Sequence, residues 1–165
     1  MTISRILRHW FTGRMSVGLA FPDSTLRRIE AVIGEVEAAH AGQIRFAVEG
    51  NLDTSALTAG LVGRDRALEV FSELRVWDTE QNNGVLIYLL LADRDVEIVA
   101  DRGIHALAGA DAWEAICRTM ESAFRAGRFE DGSIEGVRAV GELLRQHFPR
   151  DGVQSNELPD APVVF

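Results

Sequence analysis

Gly84-Val85-Leu86-Ile87-Tyr88-Leu89-Leu90-Leu91 (residues 84–91) is an unbroken apolar run of strand length, bounded by Gly84 and Asp93. A run with no polar face fits a central strand covered on both sides. Asp93-Arg94 then supplies a tight turn, and Val96-Glu97-Ile98-Val99-Ala100 (96–100) returns as an antiparallel partner. Upstream, Gln43-Ile44-Arg45-Phe46-Ala47-Val48-Glu49 (43–49) alternates polar and apolar residues and predicts another strand. Between these strands, residues 64–74 carry Ala67, Leu68, Val70, Phe71 and Leu74 at helical spacing. Two strands joined by a crossover helix favour a parallel pair. The expected class is therefore α/β, a small mixed sheet with helices on both faces.

Further out, residues 2–11 place Ile3, Ile6, Leu7, Trp10 and Phe11 at helical spacing, with Arg5, Arg8 and His9 in other directions. Such a short amphipathic helix suits either a membrane interface or docking on the domain's own core. Asp23 or Ser24 caps the next helix, which carries Leu26, Ile29, Val32, Ile33 and Val36 and stops near Gly42. Residues 51–63 read as irregular apart from one helical turn at 55–59. Residues 101–104 close the sheet region. A helix over 112–126 is capped by Asp111, and a last helix over 133–147 is capped from Asp131 or Ser133. Pro159 and Pro162 keep the tail non-helical, with Val163-Val164-Phe165 either packing back or hanging free. The chain thus divides into an amphipathic N-terminal helix (1–17), an α/β domain (18–148) and a C-terminal tail (149–165).

The 165 residues suffice for one domain with its own core. Cys117, the only cysteine, cannot form an internal disulfide and reads as a small buried hydrophobe beside Ala115 and Ile116. A formal net charge of −8 disfavours general binding to nucleic acid or anionic membranes. The apolar run is far short of the ~20 residues that span a bilayer, and the N-terminus lacks a signal peptide's continuous apolar segment. The expected location is the cytoplasm, peripheral to the inner membrane.

Antiparallel pairing of the two hairpin strands sets the start of one beside the end of the other. That brings Asp78, Asn82 and Asn83 to the end of the sheet that holds Asp101 and Arg102, and Asp111 can return to the same end. Carboxylates, amide carbonyls and main-chain oxygens near Gly84 and Gly103 are hard donors that suit calcium or magnesium rather than zinc. The same residue types also serve as ordinary caps and turn formers. His9, His40, His105 and His147 show no ligand-like spacing, and no nucleophile elbow, phosphate loop or dinucleotide fingerprint occurs. Asp93-Arg94-Asp95 reads as a charged turn, not as a site.

The block Trp77-Asp78-Thr79-Glu80-Gln81-Asn82-Asn83-Gly84-Val85-Leu86-Ile87-Tyr88, the hairpin partner through Asp101-Arg102-Gly103-Ile104, and Phe124-Arg125-Ala126-Gly127-Arg128-Phe129 resemble the TPM-domain family over roughly residues 20–148. The chain looks most like the short bacterial branch in which a single TPM domain stands nearly alone. The resemblance implies a three-layer α/β/α sandwich with a small mixed sheet. Family members have been described as divalent-cation binders in bacteria, weak acid phosphatases in plant plastids and membrane-associated assembly or repair factors. By position, the implied metal ligands are Asp78, Asn82, Asn83, Asp101 and Asp111, holding calcium or magnesium. The expectation is a cation-binding interaction domain working with a membrane-associated protein partner, with weak membrane contact through residues 1–17 and no nucleic acid. A metal-assisted acid phosphatase, with Arg102 holding the phosphate, is the alternative; a structural module without a metal site is a second. The sequence departs from the family pattern between Gly50 and Gly63, and carries neither the signal peptide nor the membrane segment common among relatives.

Overall fold

The structure is a computed structural model that describes residues 3–152 and 155–165, apart from the Arg14 side chain. In chain order the elements are α1 (Ile3–Phe11), α2 (Arg14–Ala20), α3 (Asp23–Glu37), β1 (Gln43–Glu49), α4 (Thr54–Thr58), α5 (Gly63–Glu73), β2 (Gly84–Leu90), β3 (Asp95–Ala100), α6 (Arg102–Ala108), α7 (Ala110–Arg125), α8 (Phe129–His147) and β4 (Val163–Val164). The four strands lie in the order β3-β2-β1-β4. β2 runs parallel to β1 and antiparallel to β3, and β4 adds parallel to β1. Every residue of β2 is buried, as its all-apolar sequence requires.

Strand alternation splits the core into two layers. Ile44, Phe46, Val48, Val85, Ile87 and Leu89 face Ile29 and Ile33 of α3, Phe124 of α7 and Val140 of α8. Ala47, Leu86, Tyr88 and Leu90 face Leu57 of α4 and Ala67 and Val70 of α5. Helices therefore cover both faces of a mixed sheet, in three layers. Both sheet edges are closed by side chains. Along β3, Arg64 Nη1 donates to Ile98 O at 2.7 Å and Glu121 Oε1 lies 3.5 Å from Val96 N. On β1, Glu37 Oε1 accepts Ile44 N at 2.7 Å. The returning tail does the rest: Gln43 Oε1 accepts Glu157 N and Leu158 N, both at 2.8 Å, Arg45 Nη1 donates to Pro159 O and Ala161 O, and Phe165 N donates to Val48 O.

Several local readings change. Residues 102–108 form α6, where the sequence suggested only the close of the sheet. Gly109, at φ 79°, breaks the chain between α6 and α7 in one residue, so α7 starts at Ala110 and Asp111 sits in its first turn rather than capping it. α8 starts at Phe129, ahead of both proposed caps, and its glycines at 132, 136 and 141 lie against Ala123, Met120 and Val36. They look like helix breakers in sequence but permit close helix packing. α3 starts at Asp23 with Pro22 as its N-cap and ends at Glu37, short of Gly42.

A second helix, α2, runs across residue 17 and sends Val17 and Phe21 into the core, where Phe21 meets Phe46, Phe124 and Phe129 at 5.6–6.4 Å between ring centroids. α1 docks on the domain, but by its polar face. Arg5 Nε and Arg8 Nη2 reach Asp93 at 2.9 and 3.0 Å, Arg5 Nη1 donates to Leu61 O, and the buried His9 ring accepts Leu52 N at 3.0 Å through Nδ1. Residue 2, which the sequence reading placed in this helix, lies outside the described residues.

Candidate functional site

The candidate site is built from the loop that leads into β2 and the chain that leaves β3. The register pairs Val85 with Ala100, and Asp101 N donates to Gly84 O at 2.9 Å, so Asn83 and Asp101 sit at the same end of the sheet. Two glycines permit the close approach. A side chain at 84 would collide with Val76 O, and one at 103 would collide with Asn82 O. The loop is further tied down by Asn82, which adopts φ 52°, a conformation asparagine tolerates, and whose carbonyl accepts Ile104 N at 3.2 Å.

Two oxygens in this frame have hydrogen-bonding capacity left. Asn83 is completely buried; its Nδ2 donates to Ala41 O at 3.1 Å, and its N–H donates to Thr79 Oγ1 at 3.1 Å. The bond to a carbonyl fixes which amide atom is nitrogen, leaving Oδ1 as a buried acceptor without a partner among the described residues. Asp101 is buried as well: Oδ1 accepts Arg102 N at 2.7 Å as the α6 cap, and Oδ2 has no partner among the described residues. Buried acceptors left without a donor cost free energy unless a water or a cation meets them.

The other expected ligands are arranged differently. Asp78 and Asn82 are exposed in the loop, Asp111 is exposed on α7, and Arg102 is exposed on the first turn of α6. Among the described residues, no three or more His, Cys, Asp or Glu side chains converge into a group that could hold a metal ion. The unpartnered buried acceptors at this end are therefore one carboxylate oxygen and one amide oxygen. Neutral oxygens of that kind occur among calcium ligands and are foreign to zinc.

Sequence reasoning missed other polar groups in the fold. Asp93 is no mere turn residue; it receives Arg5 and Arg8, with His9 Nε2 3.2 Å away. It borders a cleft of about 680 Å³ at the far end of β2 from Asn83. Beneath the tail, burial pushes the Glu37 carboxyl up to about 8 and holds His40 down to about 4. Between β3 and α7, a cleft of about 500 Å³ holds Asp95, Glu97 and Glu121. There, burial first and then the neighbouring carboxylates push Asp95 up to about 6. Cys117, in the same cleft, is pushed by burial up to about 12, which makes it a poor nucleophile. No motif announces these groups, because their burial arises only from tertiary packing.

The sequence profile of the TPM domain matches residues 20–143, three quarters of the chain. The chain belongs to the TPM-domain family. Its fold is similar to the NMR structure of BA42 protein from the psychrophilic bacterium Bizionia argentinensis. Identity there is 27% and the TM-score 0.74, over 86% of this chain and 93% of that one. It is also similar in fold to the N-terminal domain of a P. gingivalis protein, with 21% identity and a TM-score of 0.59 over 74% of this chain and 76% of that one. A third similar fold is the N-terminal domain of cg2496 protein from Corynebacterium glutamicum, with 14% identity and a TM-score of 0.54 over 81% and 78% of the two chains. No curated protein matches. This TPM domain has, among its described residues, no helix long and apolar enough to cross a membrane.

Proposed function

We infer that this TPM domain is a divalent-cation-binding interaction module whose binding end is the Asn83–Asp101 end of the sheet. One observation carries the reading: two buried acceptor oxygens, Asn83 Oδ1 and Asp101 Oδ2, are held at that end by otherwise satisfied backbone. A cation bound at either oxygen would supply the partner that oxygen lacks. The mixture of one carboxylate with neutral oxygens favours calcium, which accepts more and longer oxygen bonds than magnesium does. Asp78 and Asn82 are exposed on the same loop. The notched backbone around Gly84 and Gly103 keeps the loop in place, so binding changes charge at a preformed surface. That surface change is how a cation would control association with a partner, here a membrane-associated one.

Isothermal titration calorimetry with calcium chloride and with magnesium chloride tests the reading. The expected result is saturable binding of one calcium per chain, weaker binding of magnesium, and loss of both in Asp101→Asn. That variant keeps an oxygen to cap α6 while removing the charge. A wild-type chain that gives no heat above dilution, or binding unchanged in Asp101→Asn, contradicts it.

A further inference from the structure

The first two helices present an arrangement that the core does not explain. Amphipathic helices normally bury their apolar stripe and expose their polar one. α1 does the reverse. Arg5 and His9 turn inward onto Asp93, Leu61 O and Leu52 N, while Ile3, Leu7, Trp10 and Phe11 are 47–82% exposed. α2 adds Met15 and Leu19, at 85% and 83% exposure. Six large apolar side chains are thus exposed within the first nineteen residues, whereas the other exposed large apolar side chains among the described residues are at most 54% exposed.

We propose that this ridge inserts into the interfacial layer of an anionic lipid bilayer. Three features fit lipid better than a protein groove. Five of the six side chains are 68–85% exposed, so they can enter a fluid layer without complementary contours. Polar groups near it are already satisfied: the Trp10 indole N–H donates to Thr54 Oγ1 at 3.3 Å, so the exposed part of the ring is apolar. The ridge is also flanked by exposed cations in a chain of net charge −8. Arg5 and Arg8 pair with Asp93, and Arg8 and Arg94 remain exposed beside the cleft next to Leu19. Asp53, the neighbour of Thr54, turns its carboxylate into the α4 cap, accepting Ala56 N and Ser55 Oγ at 2.7 Å. Acidic lipid is therefore met by Arg8 and Arg94 at this face.

Cosedimentation of the full chain with vesicles tests this. The vesicles are phosphatidylcholine alone, or equal parts of phosphatidylglycerol and phosphatidylcholine. A chelator is present throughout, so the outcome is independent of the cation site. The expected result is partitioning onto the phosphatidylglycerol vesicles, reduced on neutral ones and reduced roughly tenfold or more by Phe11→Ser with Met15→Ser. Both positions are over 80% exposed, so the melting temperature of that variant stays at the wild-type value. Leu107→Ser, at an exposed apolar position on α6, leaves partitioning unchanged. Equal partitioning of wild type and double variant overturns the proposal. So does a ridge-dependent dimer in solution, or attachment only to vesicles that carry membrane protein.

Discussion

His9 Nδ1 accepts the main-chain N–H of Leu52 at 3.0 Å, and that bond fixes the neutral tautomer of a ring buried between α1 and the domain. The proton must then sit on Nε2, towards Asp93. A second proton would go to Nδ1, facing the Leu52 N–H. Burial is the largest influence on the ring and lowers its pKa from 6.5, Asp93 opposing it only in part. Because the folded value lies below the unfolded one, this stabilisation is present above pH 6.5 and is lost as the pH falls below it. Hydrogen exchange across α1 should therefore accelerate on mild acidification before the sheet loosens. In His9→Ala that acid step disappears, and the stranded Leu52 N–H lowers stability by about 1–2 kcal/mol at neutral pH.

Glu37 gives the opposite pH sign. Its carboxyl, raised by burial to about 8 from 4.5, holds a proton in the folded chain that the unfolded chain releases. Stability from this group is full below pH 4.5 and declines as the pH rises through about 8. Denaturant melts of wild type and Glu37→Gln should diverge over that interval and run parallel above it, with the glutamine variant the more stable at high pH by on the order of 3 kcal/mol. The glutamine amide oxygen still accepts Ile44 N, so the comparison isolates the charge.

Gln43 anchors the tail through two main-chain donors, Glu157 N and Leu158 N. Gln43→Ala leaves both without their acceptor, and the expected loss is about 2 kcal/mol in urea unfolding. The Phe165 amide, which donates to Val48 O, should lose its exchange protection in the same variant.

Two glycine substitutions separate rigid from yielding contacts. Gly84→Ala drives a methyl group into the Val76 carbonyl, and Gly136→Ala drives one into the Met120 thioether. Backbone cannot move aside, whereas methionine can change rotamer. Gly84→Ala should cost about 3 kcal/mol or more, Gly136→Ala about 1 kcal/mol, measured by thermal melting.

The strands were legible because their signals are local. An all-apolar run between a glycine and an aspartate has few other uses, and the alternation over 43–49 sets which residues face each core layer. Pairing order followed from connection lengths. α6 was hidden by its seven residues and by Gly103, and the start of α8 by glycines that are there for packing. The hairpin register alone placed Asn83 and Asp101 at the same end of the sheet. It could not distinguish those two, which are buried, from Asp78, Asn82 and Asp111, which face solvent. The polarity of α1 was visible as a pattern, but its direction depended on Asp93, which a sequence presents as one more turn residue.

Backbone and side-chain amide NMR shifts followed through a calcium titration test the cation site most directly. The account predicts saturating shifts confined to residues 78–84 and 100–104, the Asn83 side-chain NH₂ among them, and none in Asp101→Asn. Shifts scattered over the acidic surface, or a spectrum that calcium leaves unchanged, would contradict it.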